Sequence, residues 1–167
     1  KAGLIVEAAD VRETHHFATV IGYGASAINP YLALESIEDL NENGFIEGDF
    51  TNEEVLANYQ KAIGYGLLKV LSKMGISTLQ SYQSSQIFEA LGLSSRVIDK
   101  CFHGTISRIE GMGFEELGKE IKVRHRKAFE DEDFMRLETG GVYQWKRRGE
   151  RHLFNPETIH LLQHSTR

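Results

Sequence analysis

Between Gly66 and Leu93 the chain reads GLLKVLSKMGISTLQSYQSSQIFEALGL, and no other stretch constrains the fold as tightly. Leu67, Leu68, Val70 and Leu71 supply a helical apolar stripe, and Gly75 follows where a left-handed residue closes a helix. Ile76 to Leu79 is short, partly β-branched and bounded by turn formers, which predicts a buried strand. Ile87, Phe88, Leu91 and Leu93 then resume a helical period. Helix, glycine, strand and helix in that order are the unit of parallel α/β folds.

Upstream, the same order recurs. Gly3 to Glu7 reads as a parallel strand, and Thr14 as the N-cap of a helix from His15 to about Gly22. Gly22-Tyr23-Gly24 stops that helix, Ser26 to Asn29 is short enough for a strand, and Pro30 opens a helix carrying Tyr31 to Leu40. Thr51 with Glu54 three residues on is a capping box for a helix running to about Met74. Gly64 and Gly66 inside it each cost roughly 1 kcal/mol against alanine, a cost that close packing on a neighbouring backbone would justify.

Beyond Leu93 the texture changes. Ser94 or Ser95 caps a short helix over Val97 to Phe102, and Gly113 precedes a helix from Phe114 to about Phe129. Glu130 to Asp133 is an acidic run with the character of a solvated linker. Val142 to Trp145 and His152 to Phe154 flank Arg147-Arg148-Gly149-Glu150 as a hairpin would, and Asn155-Pro156 starts a final helix. A domain boundary falls between about Lys127 and Glu138, giving units 1–129 and 130–167.

The chain holds 167 residues, 41% of them hydrophobic, with a net charge of −5. That balance argues against a general nucleic-acid binder, with the basic cluster Lys146, Arg147, Arg148 and Arg151 as a strong local exception. Cys101 is the only cysteine, which removes disulfide frameworks and multi-cysteine metal sites and suits a reducing compartment. No apolar run reaches membrane-span length and no signal peptide is evident, so no membrane role and a soluble, intracellular α/β protein are expected. Leu4-Ile5-Val6, fully apolar with nothing before it to cover it, and the uncapped helix near Arg167 read as cut ends of a longer polypeptide.

The chain carries little that looks like chemistry. His15 and His16 are adjacent, point in different directions on a helix, and have no evident partner carboxylate. Gly22, Gly24 and Ser26 could cradle an anion with backbone N–H groups, but they follow a helix and lack a phosphate-loop lysine, so turn chemistry is favoured. Ser81, Tyr82 and Gln83, after the expected strand, are better placed for a ligand than Lys73, with helix capping by Ser81 or Ser84 as the more common use. Cys101 sits in an apolar run and reads as a buried thiol. Asp99, Glu110, Glu115 and Glu116 show no spacing of a catalytic pair; no catalytic and no metal-binding residue is assigned.

Three blocks resemble the large subunit of glutamate synthase. They are His15-His16-Phe17 with Ile21-Gly22-Tyr23-Gly24-Ala25 and Asn29 to Ala33; Lys73 to Tyr82 with Gln86 to Leu93; and Gly141 to Trp145 with Asn155 to Thr158 and Gln163-His164. The resemblance implies a flavoenzyme that converts glutamine and 2-oxoglutarate into two glutamates, with FMN, an iron–sulfur cluster and an ammonia tunnel between modules. It implies that residues 1–129 are the last part of the central domain, similar to a depleted barrel of βα units, and 130–167 the opening of the FMN-binding synthase domain. The family's N-terminal nucleophilic cysteine and cluster cysteines have no counterpart here, and Gln83-Ser84-Ser85 stands where the family has an Arg-Gly-Ala-like step.

The expected fold is therefore a helix-rich α/β fragment of an incomplete barrel with a few short parallel strands and a hairpin-and-helix tail. The expected role is a non-catalytic segment that binds no cofactor itself, packs against other modules of the same large subunit and helps line the tunnel. A cytoplasmic or plastid-stromal location goes with it. The alternatives are a self-contained anion- or flavin-binding module, and an interaction piece whose basic hairpin docks on an acidic partner.

Overall fold

The computed structural model describes residues 2–85, 87–129 and 139–166. It is a mixed α/β chain that divides into two compact units, Lys1–Gly111 and Met112–Arg167. Among the described residues the strands form two separate two-stranded sheets, and no barrel closes.

The first sheet pairs β1 (Ile5–Glu7) with β2 (Ala27–Asn29) in parallel, Ile5 opposite Ala27 and Glu7 opposite Asn29. The crossover between them is α1 (Thr14–Gly22), as expected, but its N-cap is Glu13 and not Thr14. The His16 ring explains the shift: its Nδ1 accepts from the Arg12 and Glu13 amides at 3.3 and 3.4 Å, so the capping function starts one residue earlier. After β2 come α2 (Tyr31–Glu42) and α3 (Asn52–Met74). α3 opens on the expected capping box, with Thr51 Oγ1 accepting from the Glu54 amide and Glu54 Oε2 accepting from the Thr51 amide. It closes on Gly75 at φ +69, the conformation an L side chain resists.

α3 packs on α1 and α2. Gly66 justifies itself in that packing: a Cβ there would meet Thr14 Oγ1 at 2.3 Å, so the contact is to a side chain and not to backbone. Gly64 has nothing within 4 Å of its missing Cβ, so close packing does not explain it.

The next two expectations fail. Ile76 to Thr78 makes no strand, and α4 (Leu79–Tyr82) follows at once. Thr78 is its N-cap, with Oγ1 accepting from the Ser81 amide at 3.3 Å, so local hydroxyl capping prevails over β-branched propensity. Ile87 to Leu93 is not a helix either: Glu89–Leu93 is β3, paired with β4 (Ile106–Met112). Gly92 at φ +74 breaks any helix there, and a Cβ on Gly111 would strike the Gly92 carbonyl oxygen at 2.3 Å. Between the strands lies the expected short helix, α5 (Ser95–Cys101). Its Cys101 is exposed, contrary to the buried thiol expected, because Val97 and Ile98 take the inward face.

The core of this unit is built on Ala18, Ile21 and Tyr82, with Leu67, Val70, Leu71, Ile76, Ile87 and Phe88 packed around them. Tyr82 is 2% exposed. The Gly66–Leu93 stretch does organise the interior, through α3 and the segments after it.

In the second unit, α6 (Phe114–Phe129) follows Gly113, and Glu116 accepts the Gly113 amide at 3.0 Å. The acidic run Glu130 to Asp133 lies outside the described residues. The expected hairpin does not form: neither Val142–Trp145 nor His152–Phe154 is a strand. Gly140 and Gly141, at φ +68 and +102, curl the chain, and one bond, Glu150 N–H to Gly140 O at 2.9 Å, replaces a ladder. α7 (Pro156–Ser165) starts as expected, with Asn155 Oδ1 accepting from the Glu157 and Thr158 amides at 3.0 Å.

Candidate functional site

The carboxyl ends of β1 and β2 are where a parallel sheet offers a site. They carry Glu7 and Asn29, joined by Asn29 Nδ2 donating to Glu7 Oε2 at 3.0 Å. Beside β2 opens a cleft of about 500 Å³, walled by α1 and α3. Phe17, Ile28, Ile63 and Leu67 make its apolar surface, and Ser26, Asn29 and Gln60 its polar points. No Lys, Arg, Asp, Glu or His is among its lining residues. Tyr59, at its wall, donates its hydroxyl to Arg12 O at 2.8 Å, and burial pushes its pKa above the ordinary 10.0. Such a lining suits small neutral molecules or apolar side chains.

The two candidate loops of the sequence meet each other. Gln83 Nε2 donates to Ala25 O at 2.8 Å, and a Cβ on Gly24, whose φ is +109, would lie 3.0 Å from Ser84 Oγ. Gly22 ends α1 against the Phe88 ring, which a Cβ would meet at 2.2 Å. Ser26 reaches the cleft, whereas Ser81 is held in the α4 cap with its hydroxyl 2.7 Å from Thr78 Oγ1.

Anion binding requires amides aimed outward. Here Tyr23 N–H goes to Thr19 O, Gly24 N–H to Ile21 O, Ala25 N–H to Val20 O and Ser26 N–H to Leu4 O. On the second loop Ser81 and Tyr82 donate to Thr78 O and Gln83 to Leu79 O. These amides hold turns together, and Gln83 links the two turns.

Around Tyr23 lies a cluster that periodicity did not reveal. Its ring stacks on Phe88 at 5.3 Å, meets Phe102 edge-on at 5.5 Å, and its hydroxyl is 3.0 Å from Thr105 Oγ1. The partners are remote in sequence, and only the flanking glycines hinted that Tyr23 occupies a special position. His15 and His16 do have a carboxylate neighbour, Glu13, at 3.4 and 3.7 Å. It was missed because it precedes the helix. Among the described residues no group of three or more His, Cys, Asp or Glu could hold a metal ion. A single exposed thiol, Cys101, does not fit an iron–sulfur cluster, whose irons need several cysteine ligands.

Residues 1–94 match the family model of the glutamate synthase central domain. The chain is 48% identical over its whole length to the glutamate synthase [NADPH] large chain of Bacillus subtilis, of which it covers 11%. It is 41% identical over its whole length to glutamate synthase [NADH] of Schizosaccharomyces pombe, covering 8% of that protein. Over 99% of its length it is 43% identical to ferredoxin-dependent glutamate synthase 1, chloroplastic/mitochondrial, of Arabidopsis thaliana, covering 11%. The chain thus spans about a tenth of the length of these relatives. No helix among the described residues is long and apolar enough to cross a membrane.

Proposed function

The chain belongs to the glutamate synthase family, and we propose that it serves such an enzyme as a non-catalytic packing segment between the amidotransferase and synthase modules. On this reading residues 1–129 close the central domain as part of an incomplete barrel of βα units, and 130–167 open the FMN-binding synthase domain. The parent reaction is formation of two glutamates from glutamine and 2-oxoglutarate, in the cytoplasm or plastid stroma, with FMN and the cluster held by other segments.

The observation that carries this reading is the exposure of strand residues that parallel sheets normally bury. Ile5 of β1 is 75% exposed and Leu4 beside it 54%. Two-stranded sheets are marginal by themselves, so these surfaces call for cover from the rest of a long chain. Amide exchange at 4–7, compared between this chain and a complete large chain, tests it: slower exchange in the complete chain is expected, and equal rates overturn it. Saturable FMN uptake by this chain alone would also overturn it.

The neutral cleft supports a second element, a share in the ammonia path. Ile28→Trp in the complete enzyme would narrow it. Glutamine-driven synthesis should fall while synthesis from added ammonia persists; an equal loss of both, or of neither, counts against the path.

A further inference from the structure

In the second unit the stretch from Gly140 to Phe154 folds back on itself as a loop. Its base is tied: Glu150 N–H donates to Gly140 O at 2.9 Å, Gly149 N–H to Lys146 O at 3.0 Å, and the His152 ring contacts Gly141 O. A Cβ on Gly149 would lie 2.3 Å from Gly140 O, so the two sides of the loop touch at backbone distance. At its turn Arg148 holds φ +67, a conformation that suits glycine and that arginine adopts only against its backbone preference. A guanidinium thus stands at a position whose backbone suits glycine.

The loop surface carries Lys146, Arg147, Arg148 and Arg151 against a single acid, Glu150, all exposed. Apolar surface flanks the cations: Tyr143 and Leu153 are each 82% exposed, Phe154 66% and Trp145 40%. Arginine, tyrosine and tryptophan together are the residue types that dominate protein–protein binding energy, and a merely solvated charge run would not need the aromatics. The net charge of −5 disfavours a nucleic acid.

We propose that the 142–154 loop is a docking surface for an acidic, apolar-centred face on another segment of the same large chain. Charge complementarity sets the sign of that face, and the nine-tenths of the relatives' length outside this segment supplies room for it. The inference deepens the packing role proposed above and rests on it. Cations at the rim set register and association, while Tyr143, Trp145, Leu153 and Phe154 bury against the partner face.

The test is amide exchange over 142–151 in a complete glutamate synthase large chain carrying this segment, against this chain alone. Docking slows exchange in the complete chain by about tenfold or more. Raising salt to about 1 M, where screening reaches ~3 Å, should return much of that protection. Arg147→Glu with Arg148→Glu should remove it, whereas Arg147→Lys with Arg148→Lys should keep most of it. Equal exchange in both contexts overturns the proposal, as does protection indifferent to salt and charge reversal. Protection that appears in this chain only on adding a single-stranded oligonucleotide overturns it in favour of nucleic acid. If residues 4–7 are protected in the complete chain and the loop is not, the packing role stands and the docking surface alone falls.

Discussion

Gly66→Ala against Gly64→Ala separates two reasons for a glycine inside one helix. Both lie in the interior of α3, so both substitutions gain helix propensity worth about 1 kcal/mol. At position 64 the new methyl meets nothing within 4 Å, and the chain should be stabilised by that amount. At position 66 it meets Thr14 Oγ1 at 2.3 Å, Cγ2 at 2.6 Å and Cβ at 3.0 Å. Rotating Thr14 offers no escape, because a β-branched side chain keeps a γ atom in most directions and its Cβ does not move with χ1. Overpacking of this kind costs about 1–3 kcal/mol, so Gly66→Ala should come out between neutral and about 2 kcal/mol destabilising.

Urea unfolding of the chain, followed by helical circular dichroism, gives both values. Thr14→Ala removes the two γ atoms and leaves only the Cβ at 3.0 Å, so Gly66→Ala should cost at least 1 kcal/mol less in that background, roughly. A Gly66→Ala variant as stable as Gly64→Ala, with no coupling to Thr14, would refute the close approach of α1 and α3.

Four further outcomes are expected. Thr51→Ala removes the acceptor for the Glu54 amide and should cost about 1 kcal/mol, read as a lower urea midpoint with fraying confined to the start of α3. Ile21→Ala hollows the cluster around Tyr82 and should cost about 2–5 kcal/mol by the same titration. Glu116 has its pKa held below 4.5, first by its own backbone amide, then by that of Gly113, with a smaller pull from Lys119. A lowered carboxylate pKa gives stability that is present above the unfolded value and lost as pH falls through the folded one. Protection of the Gly113 amide, measured against its intrinsic exchange rate at each pH, should therefore fall on acidification below 4.5, and Glu116→Gln should abolish the dependence. Ile5→Lys should leave this chain within about 0.5 kcal/mol of its parent, Ile5 being 75% exposed, yet lower the melting temperature of a complete large chain.

Those features the sequence disclosed are the ones carried by neighbouring residues. The Thr51–Glu54 box, the left-handed Gly75 and the Asn155-Pro156 start each act within one helical turn, and each stands where expected. β1 and β2 were legible for a related reason: a short apolar run either side of a helix leaves few pairings. β3 was not. Its residues Glu89 to Leu93 fit either period, and what decides between them is β4, seventeen residues from the start of β3 (106 − 89), with the Gly92–Gly111 approach between the two strands. The expected strand at Ile76 to Leu79 had β-branched residues but pairs with no strand among the described residues, and Thr78 caps α4 instead.

The same division runs through the site. Glycine spacing drew attention to the turn at Gly22–Ser26 and the place after an expected strand to Ser81–Gln83, yet nothing in either turn told that Gln83 would bond Ala25 across 58 positions. Tyr82, the middle one of those three candidates, is the largest fully buried side chain and sits in the core cluster with Ala18 and Ile21. The sequence displays polar turn chemistry and its use lies in the partner, which is remote. A segment whose turns are satisfied internally, whose cleft lining is uncharged and whose strands and basic loop face outward has its unmet interactions at its surface. On the packing role proposed for it, function is decided at contacts with chain outside the segment, so measurements made in the complete enzyme are the ones that discriminate.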